Sequence, residues 1–429
     1  MSTAPPKLKT VSQAQAAQDF PLAAVPIEAR KPIWSLAPLL MGFTLVSTTL
    51  IAGGMIGPAF GFTDLLWVVL IGNAILGIYC TILSYIAAKS GLSTVLMARF
   101  SFGNLGSRWV DFILGFTQVG WYAVTNAFIA DALFNLLGLP AGLKWLAIVF
   151  FTYAFCVTAY MGYRAMDWLS RLAVPAMLIL IGLSLTLGFR DAGDLFAIAP
   201  TEPMSLTAGI AVAVGTFISG GTQATNWSRF ADSTGSAVGS TLLAFLGVNG
   251  LLIFTGAFCT LVYGTEDLIQ AMAQQGILVG GVVLLILNVW TTQDNTIYAF
   301  SLAGSNFFRT NKRHALVLGG ATFALALALG GIYENLIPYL ILLGAVIPPV
   351  GGIIMADFWL RHNGRFPALN TPLPAFNWAG VIAYIFASLV AYISSQNDFG
   401  IAPLNGIIVA AIAYALLVRL LQPLSHASR

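Results

Sequence analysis

Charged residues are scarce in this sequence. Asp, Glu, Lys and Arg make up 8% of its 429 residues, where a soluble globular chain carries about 25%. So thin a charged complement cannot cover a water-exposed domain, and 58% of the residues are hydrophobic. The chain therefore reads as an integral membrane protein with no soluble domain. Histidine and cysteine are also rare, at three residues each. Cys80, Cys156 and Cys259 fall within apolar runs without metal-ligand spacing, which leaves them as small packing residues. His314, His362 and His426 fall in inner loops or the tail, and neither a His-Glu-x-x-His nor a Gly-x-Ser-x-Gly pattern occurs. An enzyme is not indicated. The net charge of +3 gives no case for nucleic acid. Residues 1–31 lack the apolar core and small-residue cleavage site of a signal peptide, so they read as a cytoplasmic tail.

What the chain does have is long apolar runs. Segments able to cross a hydrocarbon core, about 20 residues each, fall at 36–62, 66–88, 108–138, 143–162, 168–189, 207–229, 237–263, 277–304, 314–332, 336–360, 374–394 and 402–421. The expected fold is all-α with twelve transmembrane helices, here called spans 1 to 12. Lys and Arg accumulate in short cytoplasmic loops. With both termini inside, Lys7, Lys9 and Arg429 join the inner set, and of the 19 basic residues only Lys144 and Arg190 fall outside. Losing or adding one span would mix the two sets. The acids Asp64, Asp191, Asp194, Glu202, Glu266, Asp267, Glu334 and Asp398 fall mostly in outer loops. The expected organisation is a tail (1–31), a core of spans 1–10 (32–361), and spans 11–12 with a second cytoplasmic tail (362–429). The lipid bilayer is the expected partner, in the inner (plasma) membrane, and nothing indicates an obligate protein partner.

Two spans carry dense interruptions. Span 1 reads Gly42-Phe43-Thr44-Leu45-Val46-Ser47 and continues to Gly53-Gly54 and Gly57-Pro58; span 6 reads Gly215-Thr216-Phe217-Ile218-Ser219-Gly220-Gly221. Such segments either unwind around a ligand or pack helices closely through small residues. Span 8 holds Asn288-Val289-Trp290-Thr291-Thr292-Gln293-Asp294-Asn295. Asn288, Thr291 and Thr292 stand at i, i+3 and i+4 and share one helical face, which suits a desolvated cation or polar solute. Ser219 follows Ser47, and Asn288 follows Thr117 of the Thr117-Gln118-Val119-Gly120-Trp121 motif, at nearly equal offsets. That parallel between spans 1–5 and 6–10 is the signature of an inverted repeat.

These motifs, with Leu70-Ile71-Gly72-Asn73, Ala98-Arg99-Phe100-Ser101-Phe102-Gly103, Ile347-Pro348-Pro349-Val350-Gly351-Gly352 and Ala356-Asp357, resemble the nucleobase:cation symporter-1 family, most closely its cytosine-permease branch. The likeness covers nearly the whole transmembrane region. It implies a LeuT-like fold of 5+5 inverted repeats, with spans 1 and 6 broken and with a bundle of spans 1, 2, 6 and 7 rocking against a scaffold of 3, 4, 8 and 9. It also implies Na+-coupled import of a nucleobase by alternating access. Carried onto this sequence, it places Na+ on carbonyls of Gly42, Leu45 and Asn288 and hydroxyls of Thr291 and Thr292. Oxygen-only ligands at a helix break suit a hard cation. The base would stack on Trp121 and Phe217, and Ser47, Gln118, Thr216, Ser219, Asn288 and Gln293 would read its donors and acceptors.

The chain departs from that branch at two points. Val46-Ser47 stands in place of Phe-Ser, and Gln293 replaces a shorter Asn. The pocket wall is thereby altered, in the direction of a purine, uracil or hydroxymethylpyrimidine. Proton coupling through Asp294, an intramembrane carboxylate, and an amino-acid carrier on the same fold are the alternative readings.

Overall fold

The structure is a computed structural model that describes residues 19–201, 204–332 and 336–421, leaving aside the side chains at 336–338, 340 and 341. Lys7, Lys9, His426, Arg429, most of the N-terminal tail, Glu202 and Glu334 lie outside the described residues.

Runs of Leu, Ile, Val, Ala and Phe become long helices because only a helix satisfies every backbone group inside a single lipid-exposed segment. In chain order the elements begin with α1 (Ile33–Thr44), α2 (Ser47–Ile56), α3 (Phe62–Ser90), α4 (Thr94–Phe102), α5 (Gly106–Leu137) and α6 (Lys144–Met161). Next come α7 (Tyr163–Asp191), α8 (Leu206–Gly215), α9 (Ile218–Thr222), α10 (Thr225–Ser228), α11 (Thr234–Tyr263) and α12 (Leu268–Gln274). The chain ends with α13 (Leu278–Phe308), α14 (Arg313–Leu329), α15 (Leu336–Val346), α16 (Pro348–Ala356), α17 (Trp378–Gln396) and α18 (Ala402–Leu421). Among the described residues eight helices are long and apolar enough to cross a membrane, and the pairs α1–α2 and α13–α14 qualify jointly, with bends of 55° and 114°. Outward-facing apolar side chains such as Ile179 (70% exposed) and Val279 (79%) suit hydrocarbon better than water. The short helices α4 and α12, in the links between spans, have no counterpart among the twelve apolar runs because each is shorter than a span.

The α1–α2 interruption falls at Leu45-Val46, where Val46 is extended (φ −132°, ψ 138°). It does not fall on the glycines that follow. Those glycines serve packing, since a Cβ at Gly53 would lie 2.1 Å from the Ile253 carbonyl oxygen, and one at Gly256 1.8 Å from that of Leu50. α2 and α11 thus meet backbone to backbone. The second interruption falls at Thr216-Phe217, after which α9 and α10 continue as short turns. Behind both breaks, the Asn249 amide donates to Asn73 Oδ1 (2.8 Å) and Thr216 Oγ1 (3.2 Å), which joins α11 to α3 and to the end of α8. The Ser101 hydroxyl donates to Asp357 (2.9 Å), so two motifs far apart in sequence meet at one end of the bundle.

Candidate substrate and ion site

A small cavity, with about 30 Å³ of accessible volume, opens where the two interruptions face α5 and α13. Gln118 and Trp121 line it from α5, Thr216, Phe217 and Ser219 from the second break, and Thr292 from α13. No charged residue is among the described residues lining it. The walls also include Val46, the altered wall position, and Gly220, together with Phe43, Thr48, Thr125 and Thr296, which the motifs had not singled out as site residues. Phe43 meets the Phe217 ring edge-on at 4.9 Å and lies 4.6 Å from the Trp227 ring. It gives α1 an aromatic wall one turn before Val46, the position at which the family branch carries Phe. Trp121 is held from behind by Tyr339, whose ring is 5.9 Å away and whose hydroxyl donates to the Thr117 carbonyl (2.6 Å). Gly120 permits that approach, because a Cβ there would lie 2.3 Å from the Tyr339 hydroxyl.

Between Thr44 and Ser47 the chain cannot complete its helical hydrogen bonds, and α13 supplies the missing partners. Asn288 Oδ1 accepts from the Ser47 N–H (3.0 Å) and the Ser47 hydroxyl (2.9 Å), capping the start of α2. One turn on, the Thr292 hydroxyl donates to the Leu45 carbonyl (3.1 Å). Thr291 Oγ1 bonds back to the Leu287 (3.0 Å) and Asn288 (3.2 Å) carbonyls. A Cβ at Gly42 would lie 3.3 Å from Thr291 Cβ and 3.1 Å from Ser170 Oγ. Gly42, Leu45, Asn288, Thr291 and Thr292 therefore share the crossing of α1 and α13. Ser170 of α7 is fully buried there, and its hydroxyl has no hydrogen-bond partner among the described residues. Its sequence context, Leu169-Ser170-Arg171, gave no signal for it.

Ser47 and Asn288 line a second cavity, of about 70 Å³, with Leu50, Phe128, Glu266 and Leu268. They are set apart from the aromatic chamber. Gln293 lines neither cavity, because its amide donates to the Tyr122 carbonyl and to Asn126 Oδ1 (2.8 Å each). The extra methylene is spent in reaching α5. Asp294 also lines neither; it is fully buried and accepts from the Thr158 hydroxyl (2.9 Å) and the Asn295 amide (3.1 Å).

The segment preceding α1 is tied to the start of α7, the end of α10 and the start of α14. The Asp19 carboxylate accepts from the Tyr163 N–H at the start of α7 (2.8 Å) and lies 3.8 Å from the Arg313 guanidinium. Arg229 donates to the carbonyls of Asp19 (2.8 Å) and Phe20 (2.9 Å). Both arginines are fully buried. Burial pushes the Asp19 carboxyl above its usual range, opposed chiefly by Arg313.

Long apolar helices around an uncharged aromatic and amide chamber define a multi-pass membrane transporter. The chain belongs to the family of permeases for cytosine/purines, uracil, thiamine and allantoin, which it matches over residues 24–416. It is 34% identical over 402 residues to the cytosine permeases of Escherichia coli O157:H7 and strain K12, covering 93% of this chain and 94% of theirs. In fold it is similar to Mhp1, a nucleobase-cation-symport-1 family transporter solved closed with bromovinylhydantoin bound, with a TM-score of 0.81 and 18% identity over 94% of this chain and 95% of that one. It is also similar to a Na+-coupled sialic acid symporter in a substrate-bound outward-open state, with a TM-score of 0.69 and 12% identity over 94% and 92% of the two chains. The expected family and a permease in place of an enzyme are thereby established.

Proposed function

We propose that this permease imports a nucleobase, cytosine or a related pyrimidine or purine, across the plasma membrane by symport with Na+ through alternating access. The observation that carries the reading is one uncharged chamber in which Trp121 and Phe217 offer aromatic faces, Gln118, Thr216 and Ser219 offer hydrogen-bonding groups, and Thr292 also reaches the Leu45 carbonyl. A planar neutral ring fits such walls. Each stacked aromatic contributes roughly 1–3 kcal/mol to binding a base, and the amide and hydroxyls reject rings that strand a buried partner. An amino-acid zwitterion finds no charged partner among the described lining residues.

On this reading the chain has twelve spans. They are the eight long helices, the bent pair α1–α2 as span 1, α13 and α14 as two spans joined by a sharp turn, and the interrupted α8–α10 as span 6. Both termini are cytoplasmic, and the LeuT-like 5+5 repeat sets the breaks in α1–α2 and α8–α10 in corresponding places. The oxygens at the α1–α13 crossing suit Na+, whose charge would favour drawing them together. Gly42 and Leu45 contribute carbonyls from α1, Asn288 a carbonyl and Thr291 and Thr292 hydroxyls from α13, and Ser170 a nearby unpartnered hydroxyl from α7. Closing that crossing fixes α1 against α13, which also sets Val46 and Thr48 in the chamber wall. The two ligands then stabilise one arrangement. Proton coupling through Asp294 is disfavoured because that carboxyl faces Thr158 and Asn295 and lines neither cavity.

Thermal stabilisation of the purified protein by a panel of pyrimidines and purines, each in Na+ or in K+, tests the proposal. The expected result is a shift with one base that requires Na+. A base shift indifferent to Na+ but responsive to pH refutes the coupling, and no shift with any base refutes the substrate class.

A further inference from the structure

A third cavity, of about 570 Å³, lies away from both breaks, at the end of the bundle where Lys89 closes α3. The turn 362–369, which follows α16, and Ala24 complete its walls. Its polar lining is basic. Lys89, Arg365 and His362 face it and no acid does, while Phe358, Phe366, Leu92 and Leu369 give an apolar floor.

Both full charges are exposed, and among the described residues neither Lys89 nor Arg365 makes an ion pair, as is true of most of the described basic residues. Lys89 has only the Tyr85 ring, 5.5 Å away, and passes close to Gly364, whose Cβ position lies 3.9 Å from the ammonium. His362 is held by Phe100 and Phe366, with ring centroids 5.9 Å and 5.4 Å away. Its Nε2 is buried without a hydrogen-bond partner among the described residues, the nearest acid being Asp357 at 3.6 Å. Burial holds this imidazole below its usual range, against the opposing pull of Asp357.

Two unpaired cations and an imidazole above an apolar floor form a cradle for an anion with an apolar attachment. Two residues beyond Phe358, Leu360 is 57% exposed, and Trp359 between them is 44% exposed, so bilayer-facing surface adjoins the cavity wall. We propose that this cavity binds a phosphate-bearing anion at the membrane surface, in the manner of an anionic phospholipid headgroup. Basic pockets at the cytoplasmic ends of helices take such headgroups. The site is separate from the transport chamber and stands whatever the transported solute is.

The test is retention of lipid by the purified protein, read by native mass spectrometry and by thermal stabilisation. The protein is placed in phosphatidylcholine alone, in phosphatidylcholine with phosphatidylglycerol, or in neutral detergent with inorganic phosphate. Phosphatidylglycerol should be retained and should raise the melting temperature. The double variant Lys89→Gln/Arg365→Gln should lose about 30-fold in retention, at the roughly fivefold per basic residue that surface electrostatics provides. Lys312→Gln, an exposed charge on the same side, should retain the lipid as the parent does. An equal shift with inorganic phosphate, lost in the double variant, supports the same site with a soluble phosphate as its source. The proposal is overturned if neither phosphate source binds, if the folded double variant binds undiminished, or if Lys312→Gln loses as much as the double variant.

Discussion

Asn288→Ala should loosen the junction between α2 and α13 far more than its small volume change suggests. Asn288 is 1% exposed, and its Oδ1 receives both the N–H and the hydroxyl of Ser47, which is itself 8% exposed. Each net hydrogen bond is worth about 1 kcal/mol, and a buried donor left without a partner costs about 1–3 kcal/mol more. The hydroxyl can rotate to find another acceptor. The Ser47 N–H cannot, because the extended Val46 removes the helical turn that would otherwise supply one. The expected loss is therefore roughly 3 kcal/mol, or about 100-fold in the equilibrium that docks α2 on α13. Unfolding of the purified protein without solute reads this directly, apart from any effect on solute binding. Ser47→Ala removes the hydroxyl donor alone and should cost about 1 kcal/mol. Because both changes act on one acceptor, the double variant should match Asn288→Ala to within about 0.5 kcal/mol. Additive losses, or an Asn288→Ala protein as stable as the parent, refute the reasoning.

Trp121→Ala should weaken base binding about 10- to 100-fold at every Na+ concentration, at the 1–3 kcal/mol of a stacked aromatic; equilibrium binding of a labelled base checks it. Thr292→Ala removes the hydroxyl on the Leu45 carbonyl and should instead raise the Na+ needed for half-maximal binding at least tenfold, with base affinity restored at saturating Na+. Identical behaviour of the two variants would argue against separate sites. Asp294→Asn should preserve ion-dependent uptake and its pH profile, since the carboxylate lines neither of the two cavities at the breaks; loss of a proton-driven uptake would reinstate it as the carrier. Asp19→Ala strands the Tyr163 N–H and removes the carboxylate beside buried Arg313, so it should loosen the segment preceding α1. A cysteine introduced at Ser219 should then react faster with a membrane-impermeant thiol reagent applied from the cytoplasmic side, and an unchanged rate would deny Asp19 that role.

The helical fold was legible because hydrocarbon leaves few alternatives, and apolar runs announce their helices directly. The two interruptions were legible as segments from composition, and their positions only through the family resemblance, which set free carbonyls at Gly42 and Leu45. Glycine clusters pointed to them, yet the first break falls on Leu45-Val46, and Gly53 and Gly256 turn out to buttress α2 against α11. Glycine marks both unwinding and close packing, and composition does not separate the two. Gln118, Trp121, Thr216, Phe217 and Ser219 were named through motif resemblance, and they line one cavity. Phe43 and Ser170 were not named, because an apolar helix makes any single Phe or Ser look like packing until its neighbours are known. Gln293 illustrates the limit from the other side. Its motif position pointed inward, but one methylene of length carries its amide to the Tyr122 carbonyl.

The spacing within α13 explains how a break at Leu45-Val46 can be both tolerated and useful. A two-residue gap strands groups of opposite kind on its two sides, a carbonyl at Leu45 and an N–H at Ser47. Residues i and i+4 of a neighbouring helix lie about 5–6 Å apart on one face, so Asn288 and Thr292 present an acceptor and a donor at the separation the gap requires. One face of α13 thus grips both edges of the break. Apolar side chains at both positions would leave buried backbone groups unpaired and drive α1 and α2 towards one continuous helix. The grip also fixes Val46, between the two anchored edges, as part of the chamber wall. On the proposed function, a change at the α1–α13 crossing reaches the solute through Val46, and a solute pressing on Val46 reaches the crossing. That mutual dependence is the structural form that coupling takes in a carrier.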